Sequence, residues 1–452
     1  MSNRWSSDGR ILLGQFSQPL FQVPASGGDL SPLTTLDASL GEVAHVWPQI
    51  LPGGRFLYWS PNNQPAVYAA SLAKPGERVR LLTSKTNALY AQSSEGRGYL
   101  LWWRDGTLVA QPFDAVTLTL SGEPLPVADP IGVQIATAKM NVAVSANGTL
   151  LYRSASDLSR LAWFDRTGRV LGTLGDPAIY NLGSRISPDG RQIAATRTDA
   201  GRDLWLYEVE RGVSHRFTLY EAGGFFPLWS IDGRTILFQG GGNGLIRKDV
   251  SGAETQQRLT QFTEYNLNDW SRDGHFVLFQ RVAPDTKWDL WILPVTPDGY
   301  LEPNAQPKPY LRTPFDEQMG RFSPDGRWVA YQSDKTGRSE VYISTFPEPR
   351  GEWRISTDGG AQARWAVGGR ELLYRTPPPG NKLMTVSLTL GAEKAEPSLP
   401  RELFPFPWNN PADFDVTADG QRILSTVAAN QHPPALTVIV NWPALLKRPA
   451  TR

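Results

Sequence analysis

The sequence predicts an all-β chain of about ten four-stranded blade repeats, which is the architecture of a β-propeller. The first observation is a hairpin turn ending in glycine that recurs ten times, with 41 to 52 residues between successive glycines. The second is the pair of short strands, rich in Val, Ile, Trp and Tyr, on either side of each turn. The third is the repeat length of about 45 residues, the size of one blade.

The turn is best developed as Ser323-Pro324-Asp325-Gly326. Proline presets φ near −65°, aspartate tolerates the next position, and glycine adopts the positive φ that closes the hairpin. One such turn would be weak evidence, but chance does not keep a constant spacing over a whole chain. The turn glycines are Gly9, Gly54, Gly96, Gly148, Gly190, Gly233, Gly274, Gly326, Gly369 and Gly420.

A third strand follows each turn, and a fourth, outer strand is recognisable in some repeats. The third strand is predicted at residues 161–164 in the fourth repeat and at residues 436–439 in the tenth. No stretch has the periodicity of a helix. Three longer intervals, rich in Pro and Gly, are predicted as loops at residues 111–141, 294–315 and 387–411.

The last repeat lacks an outer strand, and two arrangements remain open. Residues 169–174 could supply the missing strand, which would close the last six repeats into a six-bladed ring. The other arrangement is one large ring of ten blades. We favour two domains: residues 1–160 with four repeats in a possibly incomplete ring, and residues 161–452 with six.

Composition argues against several functional classes. The 45 Lys and Arg nearly balance the 44 Asp and Glu, which argues against a nucleic-acid surface. The longest apolar stretch, residues 435–446, contains Asn441 and Pro443 and is too short to span a bilayer. The chain has no Cys, so thiolate metal sites and cysteine nucleophiles are excluded.

Candidate binding residues lie just before the turns, where the innermost strand of each blade lines a central channel. Large residues such as Trp229 and Trp365 come directly before the turn and should pack between blades. Side chains alternate along a strand, so their preceding neighbours should face the mouth of the channel. Three arginines and two aspartates could there bind an acidic or zwitterionic ligand or a peptide terminus, or pair with one another. These predicted site residues are Arg185, Asp269, Arg321, Arg364 and Asp415.

Catalytic chemistry has little support in the sequence. There is no Gly-x-Ser-x-Gly motif of a serine hydrolase. The histidines, His45, His215, His275 and His432, lack metal-ligand spacing and are predicted at surface or turn positions. Each turn aspartate is predicted to cap its hairpin rather than to act as an acid. We therefore predict no catalytic residue, no metal and no cofactor.

Two of the repeats, RISPDGRQIA at 185–194 and RFSPDGRWVA at 321–330, resemble the WD-repeat-like blades of TolB-type propellers. Six other stretches resemble the C-terminal propeller of large acidobacterial-type serine/threonine protein kinases. They are FQVPASGG at 21–28, WPQILPGGR at 47–55, GTLVAQPF at 106–113, LSGEP at 120–124, WDLWILP at 288–294 and VIVNW at 438–442.

This second resemblance implies a sensory or binding domain, extracytoplasmic (periplasmic) if it behaves as in those kinases and otherwise cytoplasmic. The sequence contains no Gly-rich nucleotide loop, His-Arg-Asp or Asp-Phe-Gly motif, so kinase activity does not carry over.

The function predicted from the sequence is a non-catalytic ligand-binding or protein-binding module, as in the sensor part of a signalling kinase system. Its expected partner is a protein, a peptide or a cell-envelope ligand. The alternative is a propeller-type hydrolase or lyase that acts on a glycan or peptide, for which two carboxylates about 5–10 Å apart in one pocket would be needed.

Overall fold

The computed structural model describes residues 2–5, 9–16, 18–62, 64–93, 95–134, 137–145, 147–153, 158–198, 202–218, 223–240, 244–252, 256–260, 265–283, 286–406, 414–429 and 436–447. Antiparallel strands dominate these residues, as predicted for an all-β chain. The helical segments within them are short 3₁₀ turns at Ala38–Leu40, Val367–Gly369 and Trp442–Lys447. None of the helices in the described ranges has the length and apolarity needed to cross a bilayer.

The chain forms two compact units. The N-terminal unit comprises Met1–Asp157 and His432–Arg452, and the C-terminal unit comprises Leu158–Gln431. The division into domains at residues 1–160 and 161–452 stays a prediction.

The N-terminal unit contains three sheets of four or five strands, a small hairpin and a three-stranded sheet. The strands of the three larger sheets are β1 (Ser2–Trp5), β2 (Arg10–Gly14), β3 (Phe21–Pro24), β4 (Ser31–Pro32), β5 (Val46–Leu51), β6 (Arg55–Ser60), β7 (Ala66–Ser71), β8 (Val79–Thr83), β9 (Ala88–Gln92), β10 (Gly98–Arg104), β11 (Thr107–Asp114), β12 (Thr119–Leu120) and β13 (Leu125–Ala128). The hairpin is β14 (Val133–Gln134) and β15 (Lys139–Met140), and β16 (Val142–Val144) and β17 (Leu150–Arg153) begin the last sheet.

The C-terminal unit is a ring of six sheets, here called blades 1 to 6, each of four or five antiparallel strands. It opens with β18 (Ser159–Phe164) and β19 (Val170–Ala178). Blade 1 follows with β20 (Tyr180–Ile186), β21 (Gln192–Arg197), β22 (Asp203–Glu208) and β23 (Ser214–Arg216), and blade 2 with β24 (Gly224–Trp229), β25 (Thr235–Gly240), β26 (Leu245–Asp249) and β27 (Gln257–Arg258). Blade 3 is β28 (Tyr265–Trp270), β29 (Phe276–Val282), β30 (Trp288–Pro294) and β31 (Lys308–Leu311).

The remaining blades complete the ring. Blade 4 is β32 (Gln318–Phe322), β33 (Trp328–Ser333), β34 (Glu340–Thr345) and β35 (Glu352–Arg354). Blade 5 is β36 (Ala361–Ala366), β37 (Glu371–Arg375), β38 (Lys382–Leu390), β39 (Ala395–Pro397) and β40 (Arg401–Pro405). Blade 6 joins β41 (Asp415–Val416) and β42 (Ile423–Ala428) to β18 and β19. The innermost strands follow one another around a closed circle, and β41 of blade 6 contacts β20 of blade 1.

Strand β18 closes this ring. It pairs with β42 on one side and with β19 on the other, so the first strands of the unit complete its last blade. The segment predicted to close a six-bladed ring, residues 169–174, lies almost entirely in β19. The structure therefore adopts the six-bladed arrangement and not one ring of ten blades.

Two predicted strand assignments are wrong. Residues 161–164, predicted in the fourth repeat, belong to blade 6 through β18. Residues 436–439, predicted as the third strand of the tenth repeat, form β43 (Leu436–Ile439). This strand pairs with β17 of the N-terminal unit. Both segments are short, apolar and alternating, so either could have followed either turn by local pattern alone.

The three intervals predicted as loops also contain short strands. The intervals at 111–141, 294–315 and 387–411 contain strands β12 to β15, β31, and β39 and β40, respectively. Their Pro and Gly residues lie among short outer strands, where proline is tolerated because one edge needs no ladder hydrogen bond.

The core of the C-terminal unit lies between neighbouring blades. Strand β18 shows why: Ala162 and Phe164 pack with buried residues of blade 5, whereas Leu161 and Trp163 pack with buried residues of blade 1. Alternate side chains of one strand thus bury their surface on opposite faces of the sheet. Each fully buried large apolar side chain contributes about 1.5–3 kcal/mol.

Candidate functional site

The innermost strands of the C-terminal unit carry a bulge that turns one side chain towards the centre of the ring. The pairing register shifts in β20, β24, β28, β32 and β36. In four of them the residue at the bulge has positive φ: Gly183, Phe226, Met319 and Gln362. A bulge re-aims the side chains that follow it. The residues that come two positions later in these four strands are Arg185, Leu228, Arg321 and Arg364.

These side chains meet in one cavity of about 560 Å³ at the centre of the ring. All five predicted site residues line it: Arg185, Asp269, Arg321, Arg364 and Asp415. Blade 2 contributes Leu228 at the corresponding position. The structure thus brings the five residues together, and their role in binding stays a prediction.

Both aspartates connect one blade to the next. The backbone N–H of Phe322 in blade 4 donates to Asp269 Oδ2 at 2.9 Å, and the Trp270 N–H donates to Oδ1 at 3.0 Å. In the same way, the Ile186 N–H of blade 1 donates to Asp415 Oδ2 at 2.9 Å. Each aspartate thus holds its own innermost strand to the innermost strand of the next blade.

The arginines lie deep in the cavity and are oriented by neighbouring groups. Arg364 is only 4% exposed, donates from Nη1 to the Ala363 carbonyl at 2.7 Å, and has its Nε 3.5 Å from Asp415 Oδ1. Its guanidinium also lies 5.4 Å from the centre of the Phe414 ring. Arg321 is 5% exposed, and the half-buried Arg185 donates to the Ser184 carbonyl at 2.9 Å.

The bonds around the cavity repeat every three blades. The Trp229 indole N–H donates to the Arg185 carbonyl at 3.1 Å, and the Trp365 indole N–H donates to the Arg321 carbonyl at 3.0 Å. Blades 1 to 3 therefore correspond to blades 4 to 6, and the aspartate bonds described above follow the same relation. In the sequence this symmetry is visible as a separation of 136 residues between the two Arg–Trp pairs.

The mouth of the cavity is formed by the turns, and sequence reasoning missed two of its charged residues. Arg272 and Arg422 are exposed there, beside the turn carboxylates Asp189 and Asp419. Arg422 also lies 4.8 Å from the centre of the Trp163 ring. Arg272 occupies the second position of its turn, where the turns of blades 1 and 4 have proline, and a charged residue at this position was the signal that the sequence offered.

The turn aspartates are structural, as predicted. In the turn of blade 1, the Ser187 hydroxyl donates to Asp189 Oδ1 at 2.6 Å and the Arg191 N–H donates to the same oxygen at 3.0 Å. The hydroxyl of Ser187 in turn accepts the Gln192 N–H at 2.9 Å. The hydrogen bond from Ser187 lowers the pKa of Asp189, and Thr417 does the same for Asp419.

The prediction for His45 was wrong, because this side chain is fully buried in the N-terminal unit. Its Nδ1 lies 2.8 Å from the Thr34 hydroxyl and its Nε2 lies 3.0 Å from Glu42 Oε2. Burial lowers the pKa of His45. Both ring nitrogens have partners, which is the condition for burying a polar ring. His215 and His275 are exposed as predicted, and His432 lies outside the described residues.

The Thr34–His45–Glu42 arrangement resembles a catalytic triad but has a structural role. The Thr34 hydroxyl accepts the Leu20 N–H at 2.9 Å. Thr218 accepts the Leu204 N–H at 3.0 Å in the same manner, with Asp203 as its acceptor. His45 thus replaces a carboxylate in a connection that recurs between strands. Within the described part of the chain, no group of three His, Cys, Asp or Glu residues could hold a metal ion.

Comparisons with known proteins add fold-level similarity. No protein-family profile and no curated protein sequence matches the chain. A putative TolB from Agrobacterium tumefaciens has a TM-score of 0.44 at 14% identity, covering 60% of this chain and 97% of that one. TolB from Acinetobacter baumannii has a TM-score of 0.41 at 13% identity, covering 77% and 80%. An oligogalacturonate lyase in complex with manganese has a TM-score of 0.40 at 13% identity, covering 67% and 81%.

These scores carry no argument about function. The propeller fold rests on the closed circle of six sheets in the C-terminal unit, and the candidate site rests on the side chains at its centre.

Proposed function

We propose that the C-terminal unit is a non-catalytic binding module whose central cavity takes an anionic ligand. The partner would be a protein, a peptide or a cell-envelope ligand that presents an anionic group. The supporting observation is the meeting of Arg185, Arg321 and Arg364 in one cavity of about 560 Å³, within the size range of small-ligand sites. The planar guanidinium fork matches a carboxylate, and the cavity walls limit competition from water.

The engagement of the carboxylates also favours binding over the hydrolase or lyase alternative. Asp269 and Asp415 both accept backbone N–H groups of the next blade. A general acid or base must exchange a proton with the substrate, whereas one oxygen of each aspartate is already occupied by a backbone N–H. Four aspartates line the cavity: Asp269 and Asp415 connect blades, and Asp189 and Asp419 accept hydrogen bonds within their own turns.

A sensory role in a signalling kinase system is the finer form of this proposal. It rests on the kinase-propeller stretches, such as residues 47–55 and 288–294. In this form, residues 161–452 would be the sensing domain and residues 1–160 a second set of propeller repeats.

Thermal unfolding of the whole chain with a panel of additives would test the proposal. The panel comprises acetate, N-acetyl-alanyl-glutamate, the muropeptide N-acetylmuramyl-alanyl-glutamate, and the amide of each. We expect the anions to raise Tm and the amides not to do so, because a ligand that binds only the folded state stabilises it. The rise should disappear in Arg364→Gln and persist in Arg211→Gln, whose side chain is exposed on the surface. Equal shifts with anions and amides, or shifts that survive Arg364→Gln, would refute the proposal.

The enzyme alternative has its own test. The muropeptide is incubated with the chain, and its products are analysed by mass spectrometry. We expect no cleavage. Cleavage that is lost in Asp269→Asn would establish the alternative, because asparagine keeps an oxygen for the Phe322 N–H but cannot exchange a proton.

A further inference from the structure

We infer that the cavity ligand is an amphiphilic monoanion, a single carboxylate joined to an apolar group, which binds with the carboxylate near blade 5 and the apolar group near blade 2. This inference rests on the proposed function, and it adds the chemical class of the ligand and its orientation. The source of such a group is either a peptide C-terminus with an apolar last residue or a free carboxylic acid.

The innermost strands depart from the three-blade symmetry at one of their central positions in the cavity. The central positions of blades 1 to 3 are Arg185, Leu228 and Asp269, and those of blades 4 to 6 are arginine, arginine and aspartate. Leu228 therefore occupies the position at which the symmetry places Arg364. Blades 2 and 5 lie opposite each other in a ring of six, so the cavity has a charged side and an apolar side.

The charged side is pre-oriented. Arg364 is fixed by Asp415 at 3.5 Å and by the Ala363 carbonyl at 2.7 Å. Arg321 of the neighbouring blade is only 5% exposed, so the surrounding groups restrict its side chain. Because these groups lose little freedom when they bind, an anion recognised there gains affinity and a defined direction.

The apolar side extends from the floor to the mouth of the cavity. Leu228 is buried on the floor, where it packs with Leu237 and Trp270, and Trp229 lines the wall. Ile231 is 46% exposed at the mouth, in the turn position that other blades fill with Pro188, Arg272, Pro324 or Ala418. An apolar group bound in the cavity would cover part of the exposed Ile231 side chain, and this burial would favour binding.

The charge of the lining selects a monoanion. Five arginines and four aspartates line the cavity, which leaves one positive charge in excess. A carboxylate would neutralise this excess, whereas a phosphate monoester would bring almost twice the charge needed. Charge balance and the apolar side thus point to the same class of ligand.

Isothermal titration of the whole chain tests the inference with four probes. They are N-acetyl-alanyl-alanyl-leucine, its C-terminal amide, N-acetyl-alanyl-alanyl-serine and inorganic phosphate. We expect the leucine acid to bind most tightly, with about tenfold weaker binding for the amide and for the serine acid, since each loses one of the two interactions. N-acetyl-leucine then distinguishes the sources: weaker binding than the tripeptide assigns a peptide C-terminus, and equal binding assigns a free acid.

Two matched variants assign the apolar side. Ile231→Ser should reduce the preference for leucine over serine about threefold or more, and Val213→Ser, at an equally exposed valine, should leave it unchanged. Ile231 is on the surface, so loss of folding is not expected. Equal affinity for the leucine and serine acids, or a preference that persists in Ile231→Ser, overturns the inference while the proposed anion site stands. If none of the anions binds, the proposed function itself is refuted.

Discussion

The two units of this chain use the same inner-strand device with different chemistry. In the N-terminal unit, Gln49 follows a bulge at Trp47 and stands five residues before its turn glycine, as Arg185 and Asp269 do in the C-terminal unit. Its amide donates to the Tyr90 carbonyl at 2.9 Å and accepts the Tyr90 N–H at 2.7 Å. A neutral side chain therefore suffices to connect one inner strand to the next.

The C-terminal unit has charged residues at most of the equivalent positions. In the other three N-terminal repeats this position is Arg4, Ala91 and Ala143, so the fold tolerates a side chain with neither charge nor hydrogen bonds there. Burying guanidinium groups costs desolvation free energy that alanine or glutamine does not incur. The proposed anion site would account for the burial of Arg321 and Arg364, and the following predictions test or extend the difference between the units.

The largest effect is expected from opening the C-terminal ring at β18. Phe164 is almost fully buried, stacks on Phe404 with ring centres 6.1 Å apart, and packs at a tilt against Phe406 with ring centres 6.3 Å apart. Phe164→Ala should lower the free energy of unfolding by about 3–5 kcal/mol, because it removes contacts and leaves a cavity between blades. Urea denaturation measures this, with the exposed Val170→Ala in β19 as a control. A loss below about 1 kcal/mol would contradict the closure by β18.

The connection between inner strands gives a medium effect, and both units should show it. Asp269→Ala and Gln49→Ala should each cost about 1–3 kcal/mol, since each leaves backbone N–H or carbonyl groups without their partner. Asp269→Asn keeps an acceptor and should cost less. If Asp269→Ala left the urea midpoint unchanged while Gln49→Ala lowered it, the shared role of the two positions would be wrong.

The smallest effect concerns pH, and it should separate the turns of the two units. Hydrogen bonds from Ser187, Ser230 and Thr417 lower the pKa of Asp189, Asp232 and Asp419. Three of the four N-terminal turns have no aspartate before the glycine, since Gly53, Glu95 and Asn147 stand there, and only the first has one, Asp8. A lowered pKa in the folded state adds stability above the unfolded value of about 3.9, and this is lost as pH falls through the folded value.

The triple variant Asp189→Asn, Asp232→Asn, Asp419→Asn should therefore lose less stability than the parent between pH 6 and pH 3. Urea midpoints at the two pH values give the comparison. Asp29→Asn, at an exposed residue of the N-terminal unit, should behave like the parent. An unchanged pH dependence in the triple variant would show that these turn carboxylates do not contribute.

Local chemistry made the turns and the site residues predictable. Ser323, Asp325 and the Arg327 and Trp328 N–H groups interact within five residues, so the motif contains its own explanation. Counting back from such a turn placed Arg185, Asp269, Arg321, Arg364 and Asp415 at one cavity, because alternation along a strand is also local.

Pairing between distant segments was not predictable from the same signals. Strand β18 pairs with a strand more than 250 residues later in the sequence, and β43 pairs with β17. Several short apolar strands have the same local pattern, so the sequence does not show which of them pair. The buried His45 ring contacts Thr34 and Glu42, and Arg78 in turn donates to Glu42. Of these partners only Glu42 lies within a few residues of His45 in the sequence. Arg272 and Arg422 at the mouth of the cavity were missed because they lie in or beside the turns, where the repeat motif does not distinguish one blade from another.

The most direct test of an anion site in the C-terminal unit is a titration of the ¹⁵N-labelled chain with N-acetyl-alanyl-alanyl-leucine, observed at the tryptophan indole N–H signals. Trp229 and Trp365 line the cavity, whereas the indoles of Trp47 and Trp59 donate to the Thr137 and Ser84 carbonyls in the N-terminal unit. We predict that the first two signals shift with saturation and that the other two stay in place. Unchanged signals for Trp229 and Trp365, or equal shifts in both units, would contradict a ligand site at the centre of the six-bladed ring.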